Sequence, residues 1–306
     1  MNLSSKKVTY FLMVFLIFSW GFEYIMAKAA LELYKPVTLI FLRYCIGCLL
    51  LLGIKLIRDR HFHMRKQDIL FFFICSIFGD IIYFGSEYTA LSYLPVSIVT
   101  LVLSMVPTVS IVVEVFLYKR KPTVAIVIGC LLSVFGVALI VGADFGELLE
   151  GKLIGYLLIL GALISWNVYN FMTAHLTKYY NSFDLTLYQI AAAILVSAPY
   201  ALFNMPEASL VTPTILASVL YLGIVSAGIC FLIYVHAIAV IGVTPAALFA
   251  NMLPVTSTLM GWLFLGEMIQ PIQIVGGVIV ILAGCVVIYL KDKSDNKQVK
   301  INDSTN

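Results

Sequence analysis

The sequence predicts an all-α polytopic membrane protein with ten transmembrane helices, arranged as two inverted five-helix repeats with both termini in the cytoplasm. Composition, the placement of positive charge and an internal repetition predict this class. Of the 306 residues, 62% are hydrophobic and 11% are charged, whereas soluble domains carry about 25% charged residues. Apolar runs of about 20 residues recur along the chain, which is the length a helix needs to cross a hydrocarbon core.

The predicted spans are the apolar runs that lie between charged or turn-rich breaks. They cover residues 8–28, 37–57, 69–91, 95–117, 123–141, 153–175, 184–203, 213–235, 243–265 and 271–290. The first run is too long for a signal peptide and has no small-residue cleavage site, so we expect it to remain as the first span. The polar segment 291–306 is expected to be a disordered cytoplasmic tail.

Positive charge is distributed unequally between the two sides of the membrane under this assignment. With the N-terminus in the cytoplasm, fifteen of the nineteen Lys and Arg residues fall inside, and Lys28, Lys35 and Lys152 fall outside. The remaining one, Arg43, lies within a span. Because cytoplasmic loops carry the excess of Lys and Arg, the pattern predicts a multi-pass cell-membrane protein with cytoplasmic N- and C-termini. No soluble domain of useful size lies outside the spans, which argues against nucleic-acid binding.

The two halves of the chain resemble each other at a slowly drifting offset. The matching pairs are Trp20 with Trp166 at 146 residues, Pro107 with Pro254 at 147, and Gly136 with Gly284 at 148. Such drift is what a duplicated unit predicts. The unit has an odd number of spans, so the second copy would enter the membrane from the opposite side. We therefore predict a first repeat over residues 1–148, an inverted second repeat over 149–290, and a tail over 291–306.

Several short motifs occur in a characteristic order. They are Trp20-Gly21 late in the first span, Arg43 in the second, Pro107 in the fourth, Val243-Thr244-Pro245-Ala246-Ala247 leading to Pro254, Leu265-Gly266-Glu267, and then Gly277 and Gly284. In order and spacing they resemble the EamA-type branch of the drug/metabolite transporter superfamily. The resemblance implies a ten-helix fold around a central cavity lined mainly by the first four helices of each repeat. It also implies export or exchange of metabolites or drugs without ATP.

Ionisable residues inside predicted spans are the main candidates for function, because each costs about 2.5 kcal/mol or more at membrane depth. Four acids lie within predicted spans of the first half, namely Glu23, Asp80, Glu87 and Glu114, and Arg43 is the one basic residue in a span interior. Asp80, Tyr83 and Glu87 share one helical face. Two interpretations remain open. The carboxylates bind protons or a cationic substrate, or one of them forms an ion pair with Arg43 that holds helices together.

The aligned positions of the second half carry no acids and offer aromatic and amide side chains instead. The predicted substrate-binding or proton-coupling residues there are Trp166, Asn167, Tyr169, Asn170, Gln189 and Asn251, which would face Trp20 and Tyr83 of the first half. Aromatic faces beside carboxylates suit an organic cation. The alternative is that these aromatic residues form interfacial belts or fill the core.

Together these features predict a secondary active transporter that exports or exchanges small amine-bearing metabolites or drugs, with proton coupling as an option. One alternative is a membrane-embedded lipid-modifying enzyme, although the short loops supply few catalytic groups. Another is a transporter of carboxylates or other anionic metabolites that uses Arg43. We expect no cofactor or metal, because no phosphate-binding loop or metal-ligand spacing is present. The expected partners are the substrate, protons and the bilayer, and small-residue stripes such as Gly277 and Gly284 leave a homodimer open.

Overall fold

The computed structural model describes residues 6–58, 60–106, 109–110, 112–113, 124–142, 152–242, 246, 249, 252–283 and 285–286. Within these ranges the secondary structure is helical, without strands. The helices are α1 (Lys6–Leu31), α2 (Pro36–Arg58), α3 (Lys66–Ala90), α4 (Val96–Leu103), α5 (Val124–Gly142), α6 (Leu153–Leu176), α7 (Ser182–Phe203), α8 (Pro213–Ile241), α9 (Leu253–Leu265) and α10 (Pro271–Ala283).

Six helices in the described ranges are long and apolar enough to cross a membrane, namely α1, α2, α3, α6, α7 and α8. They coincide with the first, second, third, sixth, seventh and eighth predicted spans. The other four predicted spans coincide with α4, α5, α9 and α10. The described parts of α4, α9 and α10 are shorter than a membrane span, and the apolar stretch found within α5 is Val127–Gly136. The count of ten spans, their inverted repetition and the cytoplasmic termini therefore stay predictions.

One predicted boundary was wrong. The eighth span was predicted to end at residue 235, but α8 continues to Ile241. The added turns are still apolar, and the helix ends because Gly242 adopts a φ of 88°, which is sterically easy for glycine. Gly266 ends α9 in the same way with a φ of 64°, and the Glu267 N–H then bonds to the Gly261 carbonyl at 3.2 Å.

Two of the long helices contain π-helical segments, Ile77–Ile82 in α3 and Leu222–Cys230 in α8. At an offset of 147 the first segment corresponds to residues 224–229, which lie inside the second. Each segment widens the helix by one residue per turn and changes the direction of its side chains. Asp80 is in the first segment and Ser226 is in the second.

The helices α2 and α8 approach each other at small residues. A Cβ added to Gly47 would lie 3.0 Å from the carbonyl oxygen of Gly223. Close backbone approach through glycine is common where membrane helices pack. It brings Arg43 of α2 and Ser226 of α8 within hydrogen-bonding distance of each other.

Candidate functional site

Arg43 forms a buried ion pair with Glu23. Its Nη1 lies 2.5 Å from Glu23 Oε1, and its Nη2 donates to Ser226 Oγ at 2.8 Å. Tyr88 OH accepts from Arg43 and donates to Glu23 Oε1, and Ser226 Oγ donates to Glu23 Oε2. The network joins α1, α2, α3 and α8, and it gives each carboxylate oxygen of Glu23 a partner. Glu23 is thus charge-balanced by protein groups.

Glu87 is also buried, but no cationic side chain among the described residues balances its charge. Its Oε1 accepts hydrogen bonds from Tyr24 OH at 2.6 Å and from Tyr83 OH at 3.0 Å. Among the described residues no Lys, Arg or His forms an ion pair with it. Two phenol donors stabilise a carboxylate, but they do not neutralise its charge. Glu87 is therefore a buried acid that a cation from outside the described protein could pair with.

A small cavity lies beside this carboxylate. It is lined by side chains of α1, α3, α4, α6 and α9, and the predicted site residues among them are Trp20, Glu23, Tyr83, Glu87 and Trp166. The cavity volume is about 40 Å³, which is enough for a few water molecules at about 10–15 Å³ each. Ligand pockets for small organic molecules are about 300 Å³ or larger. This conformation is consequently closed around the cavity, and a metabolite would need the helices to move.

Aromatic side chains form part of the cavity wall and pack against further rings outside it. The Trp166 ring centroid lies 4.5 Å from that of Tyr83, 5.0 Å from Tyr169 and 5.5 Å from Tyr234. Trp20 meets Trp166 at 6.3 Å, so the two tryptophans that aligned in sequence are in contact. The indole N–H of Trp20 is buried without a hydrogen-bond partner among the described residues. The site thus combines ring faces, a carboxylate and an unused donor.

Asp80 is not among the residues that line the cavity. Its Oδ1 accepts a hydrogen bond from Tyr44 OH, and its Oδ2 is buried without a partner. The hydroxyl of Ser76, one turn earlier, is also buried and unpartnered. Gly79 lies directly against the Tyr169 ring, where any Cβ would collide. The α3–α6 contact therefore encloses Asp80 tightly.

The two predicted asparagines of α6 are engaged within the protein. Asn167 Nδ2 donates to the Leu163 carbonyl at 2.8 Å, and its Oδ1 accepts from Ser110. Asn170 Oδ1 accepts from Tyr234 OH at 3.0 Å, while its Nδ2 has no partner among the described residues. Neither side chain lines the cavity.

Tyr169 and Gln189 form a second internal pair. Tyr169 OH donates to Gln189 Oε1 at 3.3 Å, and Gln189 Nε2 donates to Thr173 Oγ1 at 2.9 Å. The structure thus brings five predicted residues to the cavity, whereas these four polar residues of the second half are not part of its lining. Asn251 and Glu114 lie outside the described residues.

Four residues of the site were not predicted from the sequence: Tyr24, Tyr44, Tyr88 and Ser226. Each of the tyrosines follows a predicted ionisable residue directly in the chain. That adjacency was a usable signal, but consecutive helical residues point about 100° apart, so it does not predict a shared contact. The described residues contain no group of three or more His, Cys, Asp or Glu side chains placed to hold a metal ion.

Glu267 connects three elements at the end of the bundle where α1 ends. Its Oε1 lies 2.9 Å from Lys28 Nζ and accepts from the Val96 N–H at 3.1 Å, while Oε2 accepts from the Ser97 N–H at 3.3 Å. An anion at the N-terminus of α4 is favourable because the N–H groups there are free. Burial opposes ionisation, but the Lys28 ammonium and these donors hold the pKa of Glu267 below its usual range.

A second ion pair closes the opposite end, where α2 ends and α7 begins. Lys55 Nζ lies 2.7 Å from Asp184 Oδ1, and the side chain of Lys55 is only 5% exposed. Asn181 caps α7 and holds Asp184, accepting from its N–H at 2.9 Å and donating to its Oδ2 at 2.7 Å. Ion pairs between the two halves of the chain therefore lie at both ends of the bundle, with the cavity between them.

Helices of membrane-spanning length around a buried, charged cavity define a multi-pass membrane protein of the transporter class. The EamA-like transporter family matches residues 7–142 and 153–290, so the chain belongs to that family. It is 23% identical over 267 residues to the uncharacterized transporter YoaV of Bacillus subtilis, covering 87% of this chain and 91% of that protein. It is 24% identical to the uncharacterized transporter YvbV of the same organism, covering 94% of each.

A solved crystal structure shares the fold, with a TM-score of 0.69 at 20% identity. The alignment covers 94% of this chain and 99% of the other. The family and the names of these relatives point to a membrane transporter rather than an enzyme, and the EamA resemblance seen in the sequence is confirmed.

Proposed function

We propose that the protein is a secondary active transporter that exports or exchanges small amine-bearing metabolites or drugs, and that Glu87 binds their ammonium group. One observation carries this proposal. Glu87 is a buried carboxyl group that lines the cavity and has no cationic partner among the described residues. An ionised group at membrane depth must be paired or face a cavity, and a substrate cation would pair with Glu87.

The geometry favours Glu87 over Glu23 as the substrate carboxylate. Both line the cavity, but Glu23 is already paired with Arg43 and bonded to Tyr88 and Ser226. A substrate that bound Glu23 would have to displace a cation held at 2.5 Å. At Glu87 the same substrate would add a charge interaction without breaking an ion pair. Glu23 therefore fits the interpretation in which an acid and Arg43 hold the helices together.

The aromatic side chains of the cavity support an organic cation as the substrate class. A cation above an aromatic face gains about 0.5–2 kcal/mol, the more so when desolvated, and Trp20, Tyr83 and Trp166 supply such faces. The unpartnered indole N–H of Trp20 would suit an acceptor on the substrate, such as a hydroxyl or carbonyl oxygen. An anionic substrate has less support because Arg43 is fully buried and is not among the residues that line the cavity.

Transport would require the two end contacts to open in turn. The Lys28–Glu267 pair and the Lys55–Asp184 pair each join the first half to the second. The excess of Lys and Arg on the Lys55 side supports a cell-membrane orientation in which that side is cytoplasmic. In this orientation export begins at the Lys55 end and finishes at the Lys28 end.

The proposal is tested by amine binding to purified Glu87→Gln protein. Removing one charge of a buried ionic contact costs about 2 kcal/mol or more, which corresponds to at least about 25-fold in Kd. Thermal stabilisation by a panel of primary amines, quaternary ammonium ions, amino acids and organic anions would be measured first, and Kd for the best ligand would follow by calorimetry. Glu207→Gln is the matched control, because Glu207 is exposed.

The expected result is that an organic cation is selected, that Glu87→Gln loses its binding and that Glu207→Gln keeps it. Selection of an organic anion by the wild type would overturn the substrate class. Equal affinity of the wild type and Glu87→Gln for the selected cation would overturn the role of Glu87.

A further inference from the structure

The geometry points to Asp80 as a proton-binding site that is distinct from the cation site at Glu87 and couples proton movement to transport. The inference rests on the proposed function, for which it names the coupling ion and the residue that carries it. Asp80 and Glu87 lie on the same helix, but only Glu87 lines the cavity. The two carboxyl groups would therefore bind their cations at separate places.

The surroundings of Asp80 leave one hydrogen position unused. Asp80 is 2% exposed, and Tyr44 OH already donates a hydrogen bond to its Oδ1. Oδ2 has no hydrogen bond of good geometry, and the Ser76 hydroxyl beside the carboxyl group is likewise buried. An unsatisfied buried carboxylate oxygen is costly, and a proton on Oδ2 removes the charge and creates a donor beside Ser76. The protein supplies a place for that proton and none for a larger group.

The charged and titratable neighbours do not neutralise Asp80. Those that face it from the packed elements are Arg43 and Tyr44 on α2, Tyr169 on α6 and Cys75 on α3. Arg43 is directed to Glu23, Tyr88 and Ser226 instead. On α7, Asp184 is paired with Lys55, and Tyr188 donates to the His63 carbonyl.

A metal ion or an organic cation fits this position less well than a proton. Hard metal ions need about six oxygen ligands, whereas the oxygens placed beside Asp80 Oδ2 are those of Ser76 and Tyr44. Tyr44 also presents its hydrogen, not a lone pair, to the carboxylate. The tight contact of Gly79 with the Tyr169 ring leaves no room for an amine on that side. A proton is the cation that needs no added volume.

Arg43 provides the link from Asp80 to the cavity. When Asp80 loses its proton, its negative charge attracts the Arg43 guanidinium, which also pairs with Glu23 at 2.5 Å. The two acids then compete for one cation. Because Glu23 and Arg43 join α1, α2, α3 and α8, weakening their pair loosens the four helices around the cavity. Proton loss at Asp80 thereby favours the open arrangement that exchanges the substrate.

The decisive variant is Asp80→Asn, which mimics the protonated carboxyl group in size and charge. The purified full-length protein would be reconstituted into liposomes, and uptake of the cation selected by the binding panel would be measured with and without a pH gradient. We expect Asp80→Asn to bind the cation with a Kd within about twofold of the wild type, because the substitution leaves Glu87 and the cavity lining unchanged. Accumulation driven by the pH gradient should fall at least about tenfold, since the charge change that the gradient acts on is gone.

Infrared difference spectra between acidic and alkaline pH give a readout that needs no substrate. One of the carboxyl bands that titrate in the wild type should be missing from Asp80→Asn and present in Glu87→Gln. Tyr44→Phe keeps the ring but removes the hydroxyl that stabilises the carboxylate, so the midpoint should move toward alkaline pH by about one unit. Tyr44→Phe therefore tests proton binding at Asp80 even if Asp80→Asn does not fold.

Full pH-driven accumulation in Asp80→Asn would overturn the inference, as would an unmoved infrared midpoint in Tyr44→Phe. Failure of the proposed function has a different signature, since Glu87→Gln would then bind the cation as the wild type does. Loss of cation binding in a folded Asp80→Asn would also overturn the inference, because it would place both cations at one site.

Discussion

The π-helical segments of α3 and α8 occupy corresponding positions in the two halves but differ in what they carry. The first contains Asp80 and leads to Glu87 seven residues later, whereas the positions aligned with these acids hold Ala227 and Tyr234. Ser226 of the second segment supports the Arg43–Glu23 pair. The first segment thus presents one unbalanced carboxyl group and leads to another, and the second supplies small residues and one hydroxyl group that let helices approach and pair.

The difference extends to how buried polar groups are satisfied. In the second half, Tyr169, Gln189 and Thr173 bond to one another, and Tyr234 bonds to Asn170. In the first half, Asp80 has an unpartnered oxygen and Glu87 has no counter-ion among the described residues. Polar groups that satisfy one another give rigidity. Acids left incomplete are where a proton or a ligand gains most. The comparison therefore assigns the cation-binding carboxyl groups to the first half and a supporting role to these polar groups of the second.

Breaking the Arg43–Glu23 ion pair should have the largest effect on stability. Glu23→Gln leaves Arg43 buried without a counter-ion, which costs about 3–5 kcal/mol, and we expect a large drop in the thermal unfolding midpoint in detergent. The double variant Glu23→Leu with Arg43→Met removes both charges and should recover much of that loss. Unchanged stability in Glu23→Gln, or no recovery in the double variant, would contradict a supporting role for this pair.

Disturbing the close approach of the second π-helical segment to α2 should have the next largest effect on stability. A Cβ at Gly223 would lie 2.5 Å from Ile46 Cβ and 3.0 Å from the Arg43 carbonyl oxygen, so Gly223→Ala should cost about 1–3 kcal/mol by overpacking. Gly85 of α3 is the matched control, because nothing lies within 4 Å of its added Cβ. Gly85→Ala should stabilise the helix by about 0.5–1 kcal/mol. Thermal unfolding of both variants measures the contrast, and a loss in Gly85→Ala equal to that in Gly223→Ala would refute it.

Hydropathy predicted the long helices and the buried acids because charges stand out against apolar runs of membrane length. It missed the true end of α8 because a positive φ at Gly242, rather than a polar residue, terminates the helix. The π segments were missed as well, since an added residue in a turn leaves no periodic signal over so short a stretch. Arg43 could be assigned an acidic partner by elimination, but the choice of Glu23 depends on side-chain directions across four helices, which no spacing rule supplies.

The Lys28–Glu267 ion pair should make the stability of the protein depend on pH. The pKa of Glu267 is lower in the folded protein than the unfolded value of about 4.5. The contact therefore stabilises the fold above that pH, and its contribution is lost as the pH falls through the folded pKa. Because Lys28 is 33% exposed, solvent screening limits the contribution to about 1 kcal/mol. Glu267→Gln should lose this amount at neutral pH and show a flatter acid limb in thermal unfolding, while an identical acid limb would exclude the contact as its source.

The smallest expected effect is a change in cation affinity, measured with the same Tyr→Phe substitution in each half. Tyr24→Phe and Tyr83→Phe each remove a hydroxyl that donates to Glu87, and each should weaken cation binding by about 1 kcal/mol, or about fivefold in Kd, since the carboxylate becomes less well fixed. Tyr234→Phe removes a hydroxyl that donates to Asn170 instead and should leave the affinity unchanged at a similar cost in stability. Calorimetric titration of the three variants with the same cation measures these differences. Equal losses of affinity in all three would mean that the Tyr234–Asn170 pair supports the cation site as much as the Glu87 donors do, and the contrast between the polar groups of the two halves would fail.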